Sequence, residues 1–278
     1  LMVVFVPIMG LVFYIFFGQN YRKRKIFSRK GLQDFIKLNE LKYEQLQKLS
    51  NPEIIDYKPL WKKIHIINLL LNNNKAILTT KNQIKILNSG QEKFHKLLHD
   101  IEGAQNHIHL EYYILEDDET GLQVLEALAE KAKKGLKIRI IYDDVGSWHL
   151  KNKTIRRLKD YGIEINRFMH VTFPLLTSKI NYRNHRKIVV IDGKIAYVGG
   201  MNIANHYVHG TKKLGKWRDT HLRIEGNSVH SLQTVFLTDW FFLTKSIPTN
   251  EEFFPKTTIT NKCLIQVAAS GPDSEWAS

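Results

Sequence analysis

A histidine and a lysine two residues apart are the most informative feature of this sequence. His185 and Lys187 lie in a basic and apolar stretch, and four residues separate Lys187 from Asp192. On an extended chain, side chains two positions apart project to the same side, so an imidazole and an ammonium could meet at one phosphate group. An imidazole nitrogen can attack phosphorus, and an ammonium can neutralise the charge that grows on the phosphate oxygens. This spacing therefore favours phosphoryl chemistry.

An asparagine follows a glycine pair shortly after this motif. Gly199 and Gly200 precede Asn202 by a few residues. Glycines allow a close approach of the backbone to a ligand, and the Asn202 carboxamide could donate a further hydrogen bond to the phosphate oxygens. The segment from 181 to 202 thus collects a nucleophile, a cation and a neutral donor.

These elements together resemble the signature of the phospholipase D superfamily, which is His-x-Lys-x4-Asp, then six residues, then Gly-Gly or Gly-Ser and x-Asn. Further blocks resemble bacterial cardiolipin synthases in particular, so the resemblance covers almost the whole chain. They are Pro-x-x-Gly-x-x-x-Tyr-x-x-Phe-Gly at 7–18, Glu-Tyr-Tyr-Ile at 111–114, Tyr-Asp-Asp-Val-Gly-Ser at 142–147, Arg-Asn-His-Arg-Lys at 183–187, Trp-Arg-Asp at 217–219 and Asp-Trp at 239–240.

The resemblance implies specific roles for the motif residues. His185 would attack the phosphate or serve as the acid/base counterpart of the attacking group, and Lys187 and Asn202 would bind the phosphate. Asp219 would orient His185, because a carboxylate that accepts from the second ring nitrogen sets the tautomer and stabilises the imidazolium.

Three further acidic residues complete the predicted site. Asp192 belongs to the signature, yet we expect it to hold the local backbone or an ion pair. Glu111 and Asp143 lie at predicted strand ends and are candidates for the wall of the substrate site. The resemblance implies no cofactor and no metal. His107 and His109 alternate onto one strand face, but no third ligand accompanies them at a telling spacing, which argues against a metal pair there.

The hydrophobic pattern predicts the elements that position these residues. Helical and extended segments alternate, which indicates an α/β fold with a mixed sheet flanked by helices on both faces, preceded by an N-terminal membrane helix. We predict helices over 91–104, 121–134, 153–161 and 228–242, and strands over 107–115, 136–142, 163–168, 188–191 and 194–198, the last two joined as a hairpin around Asp192-Gly193. Segment 170–182 has no strong period and is expected to be a loop bordering the site.

The chain opens on an uncharged apolar run at 1–17, followed by four consecutive basic residues at 22–25. This pattern predicts a transmembrane segment over 1–18 with the remainder in the cytoplasm. A signal peptide would need basic residues before the apolar run and small residues after it, and neither is present. Residues 19–75 form a predicted basic and amphipathic linker and helical region, whose helix at 31–49 could lie on the membrane interface or pack on the folded domain.

The domain division follows from the single signature. We predict a first phospholipase D-like domain over 76–262 and the start of a truncated second one over 263–278, because 266–273 resembles the beginning of the second half in cardiolipin synthases. Family members use two facing signatures, and this chain has one. The missing half would belong to the same polypeptide or to a second subunit, and a dimer of two copies is the alternative.

Charge and cysteine content set the remaining expectations. The 278 residues carry a formal net charge of +14, which points to anionic partners, and a single cysteine, Cys263, excludes an internal disulfide. With the membrane segment, the charge favours an anionic phospholipid surface, with phosphatidylglycerol as substrate, over nucleic acid. Trp148 and His149 could contact lipid or pack at a loop tip, and the sequence leaves both alternatives open.

The resemblance implies an enzyme of the cell membrane whose catalytic domain faces the cytoplasm. It would transfer a phosphatidyl group between two phosphatidylglycerol molecules and release glycerol, through a phosphohistidine and without a metal. The alternatives are a membrane-tethered phospholipase D-type hydrolase or nuclease, and a catalytically silent membrane-binding half. The isolated chain is expected to be inactive, since it lacks the second histidine.

Overall fold

A computed structural model of the chain describes residues 62–168, 183–213, 215–246, 248 and 251–270. The predicted membrane segment at 1–18, the linker helix at 31–49, the loop at 170–182 and the end of the chain from 271 lie outside the described residues. Within the described ranges, none of the helices combines the length and the apolar character that crossing a bilayer requires.

The described residues form helices and strands in alternation, as predicted. Their helices are α1 (Ile64–Asn74), α2 (Gly90–Gly103), α3 (Glu119–Lys133), α4 (Asn152–Asp160), α5 (His206–His209) and α6 (Ser228–Thr244). Their strands are β1 (Leu78–Thr79), β2 (Asn82–Leu87), β3 (His107–Tyr112), β4 (Lys137–Asp143), β5 (Glu164–Phe168), β6 (Lys187–Ile191), β7 (Ile195–Gly199), β8 (His221–Gly226) and β9 (Ile265–Gln266).

Seven strands form one mixed sheet in the order β2-β8-β7-β6-β3-β4-β5. Strands β3, β4 and β5 are parallel, whereas β6, β7, β8 and β2 join as antiparallel neighbours. Every residue of β3 is buried, as expected for a central strand covered on both faces. The predicted mixed sheet is confirmed.

Helices cover both faces of this sheet. On one face the apolar sides of α2, α3 and α4 pack on the strands, with Leu97, Leu128 and Leu158 fully buried in one continuous core. On the other face α6 places Phe236 and Trp240 against the sheet. The start of α2 is fixed by a local capping interaction. The Ser89 hydroxyl accepts a hydrogen bond from the backbone N–H of Glu92.

The β6–β7 hairpin is confirmed in its predicted position. Asp192 and Gly193 both have positive φ, 52° and 63°, and the N–H of Lys194 donates to the carbonyl of Ile191 at 3.0 Å. Two successive positive φ values define a type I′ turn, which matches the twist of the paired strands.

Four strands were absent from the prediction, namely β1, β2, β8 and β9, and two of them belong to the seven-stranded sheet. β2 and β8 pair with each other along six residues at one side of the sheet. Their apolar residues alternate, with Ile84 and Ile86 in β2 and Leu222 and Ile224 in β8, so the period-two signal was available.

Residues near both ends of the described chain pack together. β9 pairs with β1, and the side-chain amide of Gln266 donates to the carbonyls of Ile67 at 3.1 Å and Ala76 at 2.9 Å. The described part of 263–278 therefore lies against α1 and β1. The proposed division at 262 stays a prediction.

Candidate active site

The predicted site residues gather at one edge of the sheet. His185 directly precedes β6, which begins with Lys187, and Asn202 follows the end of β7. Asp219 precedes β8, while Glu111 and Asp143 lie at the ends of β3 and β4. Because β3, β4 and β7 run the same way and β6 and β8 run against them, all of these positions meet at the same edge.

His185 and Lys187 touch each other as the spacing predicted. The ammonium of Lys187 lies 3.1 Å from Nδ1 of His185 and donates to the His185 carbonyl at 2.8 Å. The His185 ring is exposed, whereas Lys187 is buried. The ring of Tyr113 packs against His185 with a centroid distance of 4.7 Å and lies 5.4 Å from the Lys187 ammonium. An imidazole thus faces solvent beside a buried cation.

Burial and neighbouring charges tune both groups. Partial burial lowers the pKa of His185, and the Lys187 charge lowers it further while Asp143 opposes the shift. Burial also lowers the pKa of Lys187 to about 8, an effect that the Asp219 carboxylate partly offsets. A neutral imidazole near neutral pH retains the lone pair that attack on phosphorus requires.

Asn202 is buried and held at both ends of its carboxamide. Its Oδ1 accepts the N–H of Ile114 at 3.0 Å, and its Nδ2 donates to the hydroxyl of Tyr207 at 2.6 Å. The NH₂ group has a second N–H, which can reach a ligand. The side chain is therefore oriented before any phosphate arrives.

Asp219 packs against the glycine pair. A Cβ on Gly200 would lie 2.1 Å from Oδ1 of Asp219, so a side chain at this position would displace the carboxylate. Oδ1 accepts the N–H of Thr220 at 2.7 Å. Among the hydrogen bonds of the described residues, none joins Asp219 to His185, and the charge of Asp219 acts on Lys187 instead. The orienting role of Asp219 stays a prediction.

Glu111 and Asp143 hold the segment that leads into His185. Glu111 accepts from the side-chain amide of Asn184. Asp143 accepts the backbone N–H of Asn184 at 3.0 Å and lies 3.3 Å from the Arg183 guanidinium. Both carboxylates are fully buried, so the structure brings them beneath the segment 183–185 rather than onto an open wall.

Asp192 lies at the opposite end of β6 from His185. Its carboxylate accepts three backbone N–H groups, from Gln105 at 2.8 Å, Asn106 at 2.8 Å and His107 at 3.0 Å. The structure thus does not bring Asp192 to the other signature residues, and these bonds tie the β6–β7 turn to the start of β3.

Several residues of the site were missed by sequence reasoning. Tyr113 and Tyr207 contact His185 and Asn202 respectively. Lys93 on α2 is fully buried and reaches the Asn202 segment, and His221 is buried beside Gly199. The helical pattern of α2 offered one signal, since Lys93 occupies a position on its apolar side together with Phe94 and Leu97.

Two other pairs of residues that the sequence singled out have different surroundings. His107 and His109 lie under α6, where Nε2 of His107 is 3.3 Å from Oε1 of Gln233 and Nδ1 of His109 is 2.7 Å from its Nε2. At the tip after β4, Trp148 is 65% exposed and the exposed His149 lies 3.5 Å from Glu116. The Trp148 ring is therefore open to a partner, and lipid contact there stays a prediction.

The fold and the site together define the class of this protein as a phospholipase D-like α/β domain. A family model described as the cardiolipin synthase, PLD-like domain matches residues 97–240. Curated relatives include cardiolipin synthases of Staphylococcus aureus strain MW2 and Listeria monocytogenes strain HCC23. They are 40% identical over 285 and 279 residues, which is 99% of this chain in each case. The chain therefore belongs to the phospholipase D-like cardiolipin synthase family.

The chain spans 56% and 58% of the length of these two relatives. Among solved structures, the phosphatidylserine synthase of Haemophilus influenzae Rd KW20 matches with 16% identity and a TM-score of 0.49, covering 65% of this chain and 42% of that one. The Nuc protein of Salmonella typhimurium matches with 16% identity and a TM-score of 0.43, covering 57% and 94%.

Proposed function

We propose that the full-length protein is a cardiolipin synthase that transfers a phosphatidyl group from one phosphatidylglycerol to another. The observation that carries this proposal is the 40% identity to curated cardiolipin synthases across 99% of the chain. The contact between His185 and Lys187, beside Asn202 at one sheet edge, supplies the chemistry that such a transfer needs.

The first step proposed is attack by a ring nitrogen of His185 on phosphorus. A nitrogen–phosphorus bond forms, the bond from phosphorus to the glycerol oxygen breaks, and that oxygen takes a proton from a general acid as glycerol leaves. Lys187 and Asn202 bind the nonbridging oxygens, where negative charge grows. The buried position of Lys187 strengthens this interaction, because an ammonium removed from water is poorly screened.

In the second step a hydroxyl of another phosphatidylglycerol attacks the phosphohistidine. A new phosphorus–oxygen bond forms, the nitrogen–phosphorus bond breaks, and the hydroxyl proton leaves to a base. The product is cardiolipin, and His185 is regenerated. Attack by water at this step would give phosphatidic acid, so the identity of the second nucleophile separates a synthase from a hydrolase.

We further propose that a second phospholipase D-like half completes the site. The relatives are nearly twice as long as the chain, and the transfer needs a general acid for the departing glycerol oxygen. General acid assistance is typically worth about 10²–10⁴-fold. The 278-residue chain by itself should therefore fold but turn over phosphatidylglycerol at least about 10²-fold more slowly than the full-length protein. Turnover that rises with the square of chain concentration would favour a dimer of two copies instead.

The proposed location is the cell membrane, with the site on the cytoplasmic side. The uncharged run at 1–17 and the basic residues after it support an anchor, and the net charge of +14 suits an anionic lipid surface. Deletion of residues 1–18 should release the protein from membranes washed with alkaline carbonate. Retention in the pellet after this deletion would assign the anchor to another segment.

The deciding experiment follows the products of labelled phosphatidylglycerol. Full-length protein in phosphatidylglycerol vesicles should give cardiolipin and glycerol, and His185→Ala should lower the rate by at least about 10³-fold, since the attacking group is lost. EDTA should leave the rate unchanged, because histidine and lysine carry the roles that a metal has in other phosphoryl-transfer enzymes.

His99→Ala is the matched control, because the exposed His99 lies on α2 in a groove that it lines with Asp192, at the end of β6 opposite to His185. Its rate should equal that of the wild type. Phosphatidic acid as the main product would support a hydrolase, and wild-type rates for His185→Ala would contradict the proposed nucleophile.

A further inference from the structure

A lysine is buried beneath the segment that carries Asn202. Lys93 lies on α2 with none of its surface exposed, among the apolar residues that pack this helix on the sheet. Burying an amine costs free energy unless hydrogen bonds replace its water, and an apolar side chain would fill the same space without that cost. A lysine at such a position therefore calls for a specific partner.

The partner is the backbone between the glycine pair and Asn202. The Lys93 ammonium donates to the carbonyl of Met201 at 3.0 Å and to that of Asn202 at 3.1 Å. It also lies over the rings of Phe94, at 4.3 Å from the centroid, and Tyr112, at 4.8 Å. The two carbonyls and two ring faces surround the amine on the side away from water.

From these contacts we infer that Lys93 is a positioning residue, which sets the place of the Asn202 carboxamide through the two backbone carbonyls beneath it. This inference rests on the proposed function for its reaction but adds a residue that lies outside the signature. Lys93 contacts the main chain at 201 and 202, whereas Ile114 and Tyr207 contact the Asn202 side chain. Backbone and side chain of Asn202 are thus held by separate partners.

Lys93 has no direct contact with His185 in this arrangement, so its effect on the reaction has to pass through Asn202 or through charge. The charged and titratable groups that act on the site from this side are Lys187, Asp219 and His221. Burial and the Lys187 charge lower the pKa of Lys93, and Asp219 opposes the shift. The hydrogen bonds to both carbonyls form with either protonation state of the amine, so the positioning role does not depend on the charge.

A double-mutant cycle separates positioning from general support of the fold. Lys93→Met keeps the length of the side chain and removes its N–H donors. In full-length protein it should lower kcat about 10–100-fold and raise KM for phosphatidylglycerol by up to about tenfold, because the carboxamide that binds the phosphate in the ground state and in the transition state loses its fixed place. In an Asn202→Ala background, the same substitution should change kcat by less than about twofold, since coupled residues are not additive.

A second variant guards against loss of folding. Lys93→Gln retains an N–H donor for one carbonyl, so its kcat should lie between those of the wild type and Lys93→Met. Circular dichroism and thermal unfolding of each variant establish that the folded protein is assayed. Lys131→Met is the matched control, because Lys131 also donates to a backbone carbonyl, that of Glu102 at 2.7 Å, but on the surface. Its kcat should match the wild type.

Binding of inorganic phosphate gives a readout that does not need turnover. Phosphate affinity, measured by ³¹P nuclear magnetic resonance, should fall about tenfold in Lys93→Met and show the same coupling to Asn202→Ala. If the full-length protein forms no cardiolipin, the proposed function is wrong, but the double-mutant cycle on phosphate affinity still tests the role of Lys93. Multiplicative effects of the two substitutions on phosphate affinity, or wild-type affinity in a folded Lys93→Met protein, would overturn the inference.

Discussion

The Lys187 ammonium lies 3.1 Å from Nδ1 of His185 and 2.8 Å from the carbonyl oxygen of the same residue. A ring nitrogen that accepts from an ammonium carries no proton, so the neutral His185 ring has its proton on Nε2. Neither ring nitrogen is then ready to attack, since Nδ1 is engaged by Lys187 and Nε2 is protonated. Attack on phosphorus therefore requires Lys187 to move away from Nδ1.

We expect phosphate binding to change this arrangement. An oxyanion draws Lys187 away from Nδ1, and the proton can then move to Nδ1, which frees the lone pair of Nε2. Nitrogen-15 spectra of histidine-labelled protein at pH 7 should show the Nε2-protonated form of His185 without ligand and the Nδ1-protonated form with inorganic phosphate. In Lys187→Met the phosphate-dependent change should be lost. If the wild type has the same His185 tautomer with and without phosphate, the expected transfer of the proton from Nε2 to Nδ1 is contradicted.

Substitution of Asp192 should cost stability far more than activity. Its carboxylate accepts three backbone N–H groups at the end of β6 remote from His185, and a hydrogen bond to a charged group contributes about 1.5–3 kcal/mol. Asp192→Ala should therefore lower the free energy of unfolding by roughly 3 kcal/mol or more, while kcat of the folded full-length protein falls less than about tenfold. Urea unfolding and initial rates measure the two effects.

The matched substitution is Asp160→Ala, since Asp160 is exposed at the end of α4. It should change the free energy of unfolding by less than about 0.5 kcal/mol. A large loss of kcat in Asp192→Ala at unchanged stability would instead place Asp192 in the reaction.

Acid should destabilise the domain through two histidines under α6. Burial lowers the pKa of both His107 and His109 below the ordinary 6.5, and the nearby Arg139 charge acts in the same direction. A lowered folded-state pKa means that stability is complete above pH 6.5 and is lost as pH falls, because the unfolded chain binds protons that the folded one does not. Each histidine should contribute a slope of up to about 1.4 kcal/mol per pH unit below 6.5.

The measurement is urea unfolding at several pH values from 7.5 to 5.5. His109→Gln keeps a polar partner for Gln233 but cannot titrate. The loss of its free energy of unfolding per pH unit should therefore be smaller than that of the wild type by the contribution of one histidine. Equal slopes for the two proteins would show that His109 is protonated or exposed in the folded state.

The sequence predicted much of the fold because its signals are local. The turn at Asp192-Gly193, the helical spacing of α3 and the apolar run of β4 each depend on a few neighbouring residues, and these elements occur within one or two residues of their predicted bounds. Of the four strands that were missed, β2 and β8 have alternating patterns but lie at one side of the sheet, where charged residues dilute the apolar signal.

The sequence predicted only those residues of the candidate site that belong to recognisable motifs. His185 and Lys187 are neighbours in sequence, so their contact follows from strand geometry. Lys93 and Met201 are 108 residues apart, and no local pattern relates them. Only the fold brings α2 beneath the end of β7. In the sequence Lys93 interrupts an apolar helix face, whereas in the structure it contacts the candidate site.

The pH dependence of anion binding should distinguish the two roles open to Asp219. Its charge raises the pKa of Lys187 against the effect of burial, and the result is a pKa of about 8. Binding that needs the Lys187 ammonium is complete below that pKa and is lost as pH rises through it. Asp219→Asn removes the opposing charge, so the pKa of Lys187 should fall below 8 and the alkaline loss of binding should begin at lower pH. Titration calorimetry with sulfate, whose charge is constant over this range, measures the effect between pH 6 and 9.5.

Lys187→Arg is the companion variant, because a guanidinium does not lose its proton below pH 12. It should abolish the alkaline loss of sulfate binding across the range, even if the affinity itself differs. In the double variant with Asp219→Asn, the alkaline loss of sulfate binding should again be absent, since the Lys187 ammonium that Asp219 adjusts has been replaced by a group that keeps its proton. Asp219→Asn could instead leave the alkaline loss of sulfate binding in place and shift the change in binding at acid pH, where His185 gains its proton. That result would show that Asp219 acts on His185, as the family resemblance implies, and that its electrostatic effect on Lys187 is secondary.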